Sequence, residues 1–183
     1  MNAEFGAFAG YCIELRKVTP SDLPSLRRWR NSPKIREQML DTSHISPQQQ
    51  RRWFESISKR VDQAHWVVWN DGVRTGYVNV KAGGQLVSGG YYIADTPVRH
   101  PLLGYATVLM YHDIIFDHFR AQGIKDTVLK TNAVARKMNE QMGYREGPEE
   151  GGIIAITLDP ADYRGARKKF LRFFKDTQCR PTS

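Results

Sequence analysis

The sequence predicts an α/β (α+β) fold with a mixed, mostly antiparallel sheet. Two observations support this prediction. The first half of the chain shows two helical segments followed by the strands of an antiparallel meander, and the second half alternates strand, helix, strand, helix and strand. The length of 183 residues suits one domain, residues 1–183, with its own core.

Two helices are predicted before the meander from their start signals. Thr19-Pro20-Ser21-Asp22 places a capping hydroxyl, a proline at the first helical position and an acid at the third, which predicts a helix over about residues 20–31. Ser46-Pro47-Gln48-Gln49 repeats the device and begins a second helix, through "QQQRRWFESISKR". The segment between them is predicted to be a connection with one turn of helix.

The meander is predicted from a turn between two β-rich runs. Asn70-Asp71-Gly72 joins "HWVVW" to "VRTGYVNVK" and is a strong hairpin signal. The run "SGGYYIAD" supplies a third strand of the same sheet.

The second half begins with a helix that is apolar around most of its circumference. Its polar positions, Asp113, Asp117 and Arg120, form one narrow stripe, so the helix is expected to be covered on several sides and to end at Gly123. The strand "KDTVLKT" follows, and then a helix capped by Asn132.

The chain then closes with a strand and a last helix. Gly143 ends the helix that Asn132 begins, and "GGIIAITLD" is the next strand. Residues 160–183 form a C-terminal helix and tail, in which phenylalanines lie among basic residues. We expect this helix to dock on the core; a basic amphipathic face is the alternative.

Composition narrows the class of protein. The net charge of +8 and the pI near 9.6 favour anionic partners such as nucleic acid, anionic lipid or a phosphate-rich small molecule. No apolar run approaches the roughly 20 residues that cross a bilayer, so a membrane protein is not expected. Residues 1–11 are interpreted as a loose extension. Cys12 and Cys179 indicate neither a disulfide framework nor a redox motif, which favours the cytoplasm.

A glycine precedes the apolar helix. Gly104, Tyr105 and Ala106 occupy its first turn, where unpaired N–H groups and about half a positive charge can hold a phosphate. The alternative is a plain strand-to-helix turn in which the glycine only relieves strain.

Two motifs carry a resemblance to a known family. The first motif is the turn "LLGYA", and the second is "TNAVARKMNEQMGYRE", in which Asn132, Ala135, Gly143 and Tyr144 have the family's spacing. Over about residues 13–158 the chain resembles the Gcn5-related N-acetyltransferase (GNAT) family. The resemblance implies helices on both faces of the sheet, two splayed parallel strands and acetyl-coenzyme A (acetyl-CoA) as co-substrate. Pro101 departs from the family's Arg or Gln, with Arg99 as its substitute.

The resemblance also implies site residues. The expected contacts of acetyl-CoA are Ile93, Ala94, Arg99, Leu103, Gly104, Tyr105, Ala106, Asn132 and Arg136. The backbone N–H of Ile93 or Ala94 is expected to stabilise the oxyanion.

Proton transfer is less defined. The general base is expected among His65, Asp95, and Tyr91 or Tyr92 acting through water. Where many relatives have a tyrosine as general acid, this chain has Asn139, which cannot donate a proton for transfer; Tyr144 or water are the alternatives. Ile93, Tyr92 and Asn139 are therefore the candidate catalytic residues.

The acceptor is expected to be a small-molecule amine. Trp29-Arg30-Asn31 and the segments after it resemble the branch that acetylates the 4-amino group of a UDP-linked dideoxy sugar on the way to pseudaminic acid. The related branch that acetylates N-termini of ribosomal proteins, or another small amine, is the alternative. Arg30, Asn31 and His65 are the expected substrate contacts, and the chain is compatible with a homodimer.

A rival class is a basic module without catalysis, whose tail "RKKFLRFFK" grips RNA or a membrane. The phosphates of a sugar nucleotide and of coenzyme A give the charge a use without nucleic acid or membrane. No metal site is expected, because His112 and His118 are six residues apart rather than four.

Overall fold

The computed structural model describes residues 6–96 and 101–174, and within them the strands form one mixed sheet. Their order across the sheet is β1-β2-β3-β4-β5-β6-β8-β7. The strands are β1 Phe8–Gly10, β2 Ile13–Lys17, β3 Gln63–Asn70, β4 Val73–Gly83, β5 Leu86–Ile93, β6 Gly123–Leu129, β7 Arg145–Glu150 and β8 Ile153–Leu158.

Helices precede, interrupt and follow this sheet in the order that the sequence predicts. They are α1 Leu23–Asn31, after a 3₁₀ turn at Pro20–Asp22, α2 Pro33–Arg36, α3 Pro47–Ser58, α4 Leu103–Asp113, extended by a π-helical turn at Ile114–His118, α5 Ala133–Met142 and α6 Pro160–Leu171, followed by a 3₁₀ turn at Arg172–Phe174.

The local signals act as predicted. The Ser46 hydroxyl accepts a hydrogen bond from the Gln49 N–H, and the Gln49 side chain accepts one from the Ser46 N–H, so a reciprocal box starts α3. Asp71 and Gly72 both have positive φ, which suits a two-residue hairpin between β3 and β4. Gly143 is left-handed at φ 93° and ends α5.

Three details differ from the sequence-based expectations. Gly123 does not end a helix but begins β6. The preceding helical turn ends at His118 with Phe119 as its C-cap, and Arg120 takes the left-handed φ of 52°. Strand β1 and the buried Tyr11 lie in the segment expected to be loose. Strand β7 was not predicted, because all six of its residues are exposed and it lacks apolar alternation.

The cysteine prediction also needs correction. Cys12 is disulfide-bonded, although the spacing of the two cysteines did not indicate a disulfide. Cys179 lies outside the described residues.

Helices cover both faces of the central strands, as expected. On one face Leu26 and Trp29 of α1 pack with Val67 of β3 and Tyr77 of β4. On the other face α4 and α6 pack on a larger core cluster, which includes Trp66, Val78, Leu109, Ile115, Tyr163 and Phe170. In the described part of the chain, no helix is long and apolar enough to span a membrane.

The one parallel pairing among the described strands joins β5 to β6, and it is short. Leu86 pairs with Gly123 and Val87 with Ile124, and the register stops there. Two residues further along β5, the Gly89 N–H donates to the Asp126 carboxylate at 2.7 Å instead of to a backbone carbonyl of β6. The two strands therefore separate toward their carboxyl ends, which confirms the splayed pair.

Helix α6 docks on the core as predicted, through a polar contact as well as apolar packing. The Asp113 carboxylate accepts hydrogen bonds from Tyr11 at 2.5 Å, Tyr163 at 2.6 Å and the Arg167 Nε at 2.7 Å. Asp113 thus joins the β1–β2 turn, α4 and α6, and its side chain is only 16% exposed.

We predict that Asp113→Asn lowers the free energy of unfolding by about 3 kcal/mol, because a half-buried arginine loses its counter-charge and one of the two acceptor oxygens becomes an amide that faces other donors. Urea denaturation of both proteins measures the change. Asp117→Asn, at an exposed position one turn further along, is the control and should alter stability by less than about 0.5 kcal/mol. Equal effects of the two substitutions would contradict this role of Asp113.

Candidate active site

A cavity of about 1060 Å³ runs through the sheet at the opening between β5 and β6. Its lining includes both Tyr91 and Tyr92. Because consecutive side chains of a strand point to opposite faces, a cavity that touches both residues reaches both faces of β5. On one side it is bounded by α1–α3, and on the other by the first turn of α4 and by α5.

The backbone of β5 faces this opening with alternate N–H groups. The Ala94 N–H donates to the Thr75 carbonyl at 2.8 Å, so it is used in the sheet and is not available for an oxyanion. In an antiparallel pair, alternate residues bond to the partner strand, and the residues between them face away. The N–H groups of Tyr91 and Ile93 therefore face β6, as that of Gly89 does. Of the two predicted donors, Ile93 is the one that the geometry allows.

The first turn of α4 offers further amides. Its N-cap residue, Leu102, has no side chain that can cap the helix, and the N–H groups of Leu103, Gly104 and Tyr105 have no backbone acceptor within the described residues. The Ala106 N–H is already bonded to the Leu102 carbonyl at 2.8 Å, so this predicted contact is not available.

Open space lies beside these amides. A Cβ added to Gly104 would meet no heavy atom within 4 Å, and Gly104 lines the cavity. Leu103 is buried in the core, and the Tyr105 ring packs on Phe170 and Phe173, so these two residues present only their backbone. A bare backbone at the positive end of a helix fits the diphosphate of coenzyme A.

Helix α5 brings some of the predicted cofactor contacts to the cavity. Asn132 and Asn139 line it, and the Asn132 side chain also caps α5 by accepting from the Ala135 N–H at 3.0 Å. Arg136 does not line it: its guanidinium pairs with Glu146 at 2.8 and 3.0 Å. Arg99 lies outside the described residues.

Tyr144 lines the cavity but directs its proton away from it. The His112 Nδ1 lies 2.7 Å from the Val108 carbonyl and must donate to it, so Nε2, at 3.0 Å from the Tyr144 hydroxyl, is an acceptor. Burial lowers the pKa of His112 to about 4 and keeps this ring neutral. Tyr144 therefore donates to His112, which leaves the Asn139 amide and water to assist the leaving sulfur.

The acceptor side of the cavity has cationic and aromatic walls. Arg30, Lys34, Trp53 and Tyr92 line it, together with the acidic residue Asp41. The Arg30 Nη2 donates to the Asp41 carbonyl, whereas Nη1 is buried and has no hydrogen-bond partner among the residues described.

Asn31 has a different role from the one expected. Its side chain accepts from the Ile45 N–H at 2.8 Å and donates to the Ile45 carbonyl at 2.9 Å, and it does not line the cavity. Asn31 therefore fixes the loop before α3. Trp29 is buried against the sheet.

His65 lies one layer behind the cavity. Its Nδ1 is 2.5 Å from the hydroxyl of Tyr77, which lines the cavity, whereas His65 does not. Burial and, to a lesser degree, the charge of Lys81 lower the pKa of His65 to about 4, so its ring is neutral at pH 7. Asp95 is 3.6 Å from the Lys34 ammonium.

Tyr77 and Asp126 are two site residues that the sequence did not indicate. Tyr77 sits in a regular strand pattern, where an aromatic residue is ordinarily a packing residue. Asp126 interrupts the predicted strand "KDTVLKT", and a carboxylate inside a strand was the available signal. Within the described part of the chain, no cluster of histidine, cysteine and carboxylate side chains could hold a metal.

The splayed strands, the inward N–H groups of β5 and the amide cradle of α4 define an acyltransferase that takes its acyl group from a coenzyme A thioester. The family model described as "Acetyltransferase (GNAT) domain" matches residues 13–145. The chain belongs to this family and is an N-acetyltransferase with acetyl-CoA as its co-substrate.

Solved structures share the fold. The chain is similar to apo FdhC, a nucleotide-linked sugar GNAT, with a TM-score of 0.76 and 17% identity over 91% of this chain and 97% of that one. It is similar to a spermidine N-acetyltransferase from Vibrio cholerae in complex with CoA and spermine, with a TM-score of 0.73 and 14% identity over 84% of this chain and 98% of that one. It is also similar to an aminoglycoside acetyltransferase in complex with coenzyme A, with a TM-score of 0.68 and 16% identity over 85% of this chain and 99% of that one. No curated protein matches the sequence.

We predict that Gly104→Val weakens acetyl-CoA binding at least tenfold, because branched carbons project into the space beside the α4 amides, where an added Cβ meets no protein atom within 4 Å. Isothermal titration calorimetry with acetyl-CoA measures the change. Gly165→Val is the matched control: it also lies in a helix with nothing within 4 Å of an added Cβ. Unchanged affinity in Gly104→Val would contradict the phosphate assignment.

Proposed function

We propose that this enzyme acetylates the 4-amino group of a nucleotide-linked dideoxy sugar by direct attack of the amine on the acetyl thioester. The observation that carries the proposal is the single cavity that reaches both faces of β5 and has a cationic acceptor side. One substrate can enter from each face, and the two meet at the inward N–H groups of the strand.

Charge on the acceptor side favours an anionic acceptor over a polycation. Arg30 and Lys34 line this part of the cavity and outnumber Asp41, and the Arg30 Nη1 has no partner among the described residues and is a donor suited to a phosphate oxygen. A polyamine or an aminoglycoside would bring several positive charges toward these two cations. A sugar nucleotide instead brings a diphosphate.

Rings and amides supply the rest of the acceptor contacts. The Tyr77 and Tyr92 rings stack at 5.3 Å, and Trp53 is 6.2 Å from Tyr77, so a continuous aromatic wall is available to a sugar or base ring. Gln49 and Gln50 also line the cavity and offer amides to hydroxyl groups. The likeness to a nucleotide-linked sugar GNAT supports the same substrate class.

The chemistry requires a neutral amine and a stabilised oxyanion. The amine nitrogen bonds to the thioester carbonyl carbon, and negative charge builds on the carbonyl oxygen, where the Ile93 N–H is the donor that we propose. Collapse breaks the C–S bond, and the electron pair leaves with sulfur. A thiol has a pKa of about 8.5, so a hydrogen bond from the Asn139 amide and the proton that the attacking nitrogen gives up, carried by water, suffice for this leaving group.

We predict that Arg30→Gln raises KM for a UDP-4-amino-4,6-dideoxy sugar about 10-fold to 100-fold, because a charge-assisted contact to phosphate is lost, and leaves KM for acetyl-CoA unchanged. Release of free thiol measures both constants. Arg28→Gln, at an exposed residue of the same helix that does not line the cavity, is the control and should change neither constant.

The acceptor class is tested on the same enzyme with a panel. The panel contains the UDP-4-amino sugar, the same sugar without the nucleotide, spermidine and a peptide with the N-terminal sequence of a ribosomal protein. Turnover that depends on the nucleotide supports the proposal. Preferential acetylation of the peptide or of spermidine would contradict it and assign the enzyme to another acceptor class.

A further inference from the structure

A second cavity lies behind the acceptor side of the active site. It has a volume of about 340 Å³ and is polar, with Arg60, Gln63 and Lys81 among its lining residues. Trp53, Tyr77 and Asn79 line both cavities and form the wall between them. His65 lines only the second cavity.

A chain of hydrogen bonds runs through this wall from Asn79 to Tyr77 and on to His65. The Asn79 Nδ2 lies 3.4 Å from the Tyr77 hydroxyl oxygen and can only donate to it. The same hydroxyl lies 2.5 Å from the His65 Nδ1. If Nδ1 is the bare nitrogen, the Tyr77 proton points to His65, and a lone pair on the Tyr77 oxygen remains for a donor in the active site.

The other ring nitrogen of His65 completes the path. Nε2 is buried, carries the proton in this tautomer, and has no hydrogen-bond partner among the protein groups described. His65 lines the second cavity, which is polar and large enough to hold water. Nε2 is covered as the ring stands, so a small turn of the imidazole brings its proton to that water.

We propose that Tyr77 and His65 form a proton relay that deprotonates the acceptor amine and releases its proton into the second cavity. The acceptor arrives as an ammonium ion, since a primary amine has a pKa of about 10. The ammonium gives a proton to the Tyr77 oxygen, Tyr77 gives its own to the His65 Nδ1, and the Nε2 proton passes to water. The neutral amine then attacks, and its second proton goes to the departing thiolate, so the products are amide, thiol and one released proton.

The charged groups around His65 favour a neutral ring, which can pass a proton on but does not hold one. Tyr77 and Lys81 face it from β4, Trp53 from α3, and Arg60 from the segment after α3. Burial and the Lys81 charge lower the pKa of His65 to about 4, so the ring is neutral at pH 7. The relay starts from a neutral ring and returns to one after the tautomer reverts.

The relay depends only on acetyl transfer to a primary amine and not on which amine is the acceptor. We expect Tyr77→Phe, which keeps the ring stack, and His65→Gln each to lower kcat/KM about 100-fold at pH 7. The loss of kcat/KM in each variant should shrink below about tenfold at pH 10, where much of the amine is already neutral. His118→Gln, at an exposed histidine on the far side of the sheet, is the control and should keep full activity.

The assay uses acetyl-CoA with the UDP-4-amino-4,6-dideoxy sugar, and spermidine where that sugar is not acetylated, so failure of the sugar proposal does not remove the test. A deficit that stays constant from pH 7 to pH 10 would show a structural role and overturn the relay, as would the absence of any deficit.

A second measurement needs no acceptor. Proton–nitrogen correlation spectra of the imidazole rings should show His65 as the Nε2–H tautomer, and Tyr77→Phe should shift its Nδ1 resonance. An Nδ1–H tautomer would overturn the relay, because Nδ1 could not accept the Tyr77 proton.

Discussion

The early end of pairing between β5 and β6 is the constraint on which the rest of the site depends. A parallel pair that continued past Val87 would close the opening through which the cavity runs. Separation of the two strands exposes backbone N–H and C=O groups that must find other hydrogen-bond partners. The Asp126 carboxylate satisfies the Gly89 N–H at the base of the opening, and the N–H groups of Tyr91 and Ile93 further along face the opening.

The opening is stable because each of its two strands is held firmly on the other side. Strand β5 pairs with β4 along residues 76–83, and β6 pairs with β8 along residues 153–158, both antiparallel. Buried side chains of α4 close the core beneath the strands. The lost pairing is therefore confined to a few backbone groups, while the hydrogen bonds and apolar contacts that fix the two strands remain intact.

The two faces of the sheet divide the chemistry between them. The α4 face offers amides and the positive end of a helix, which suit the phosphates of a thioester carrier. The face under α1–α3 offers cations, aromatic rings and the Tyr77–His65 pair. In the reaction that we propose, two substrates approach from opposite faces and meet at one strand, and the Tyr77–His65 pair carries the amine's proton away. This geometry matches direct transfer without an acyl-enzyme.

The sequence by itself determined whatever depends on neighbours a few residues apart. The caps at Ser46 and Asn132, the turn at Asp71 and Gly72, and the glycine beside the α4 amides are local hydrogen-bond or backbone features, and their motifs predicted them. The family motifs extended that prediction to the splayed pair.

Only the tertiary structure decided which side chains and backbone groups are free. Arg136 is taken by Glu146, Asn31 by Ile45 and the Ala94 N–H by Thr75, and each partner is distant in the sequence or set by strand register. Tyr77 gained its place in the site the same way, by lying opposite Tyr92 and next to His65. Strand register and helix docking, which bring distant residues together, are not encoded in any short segment.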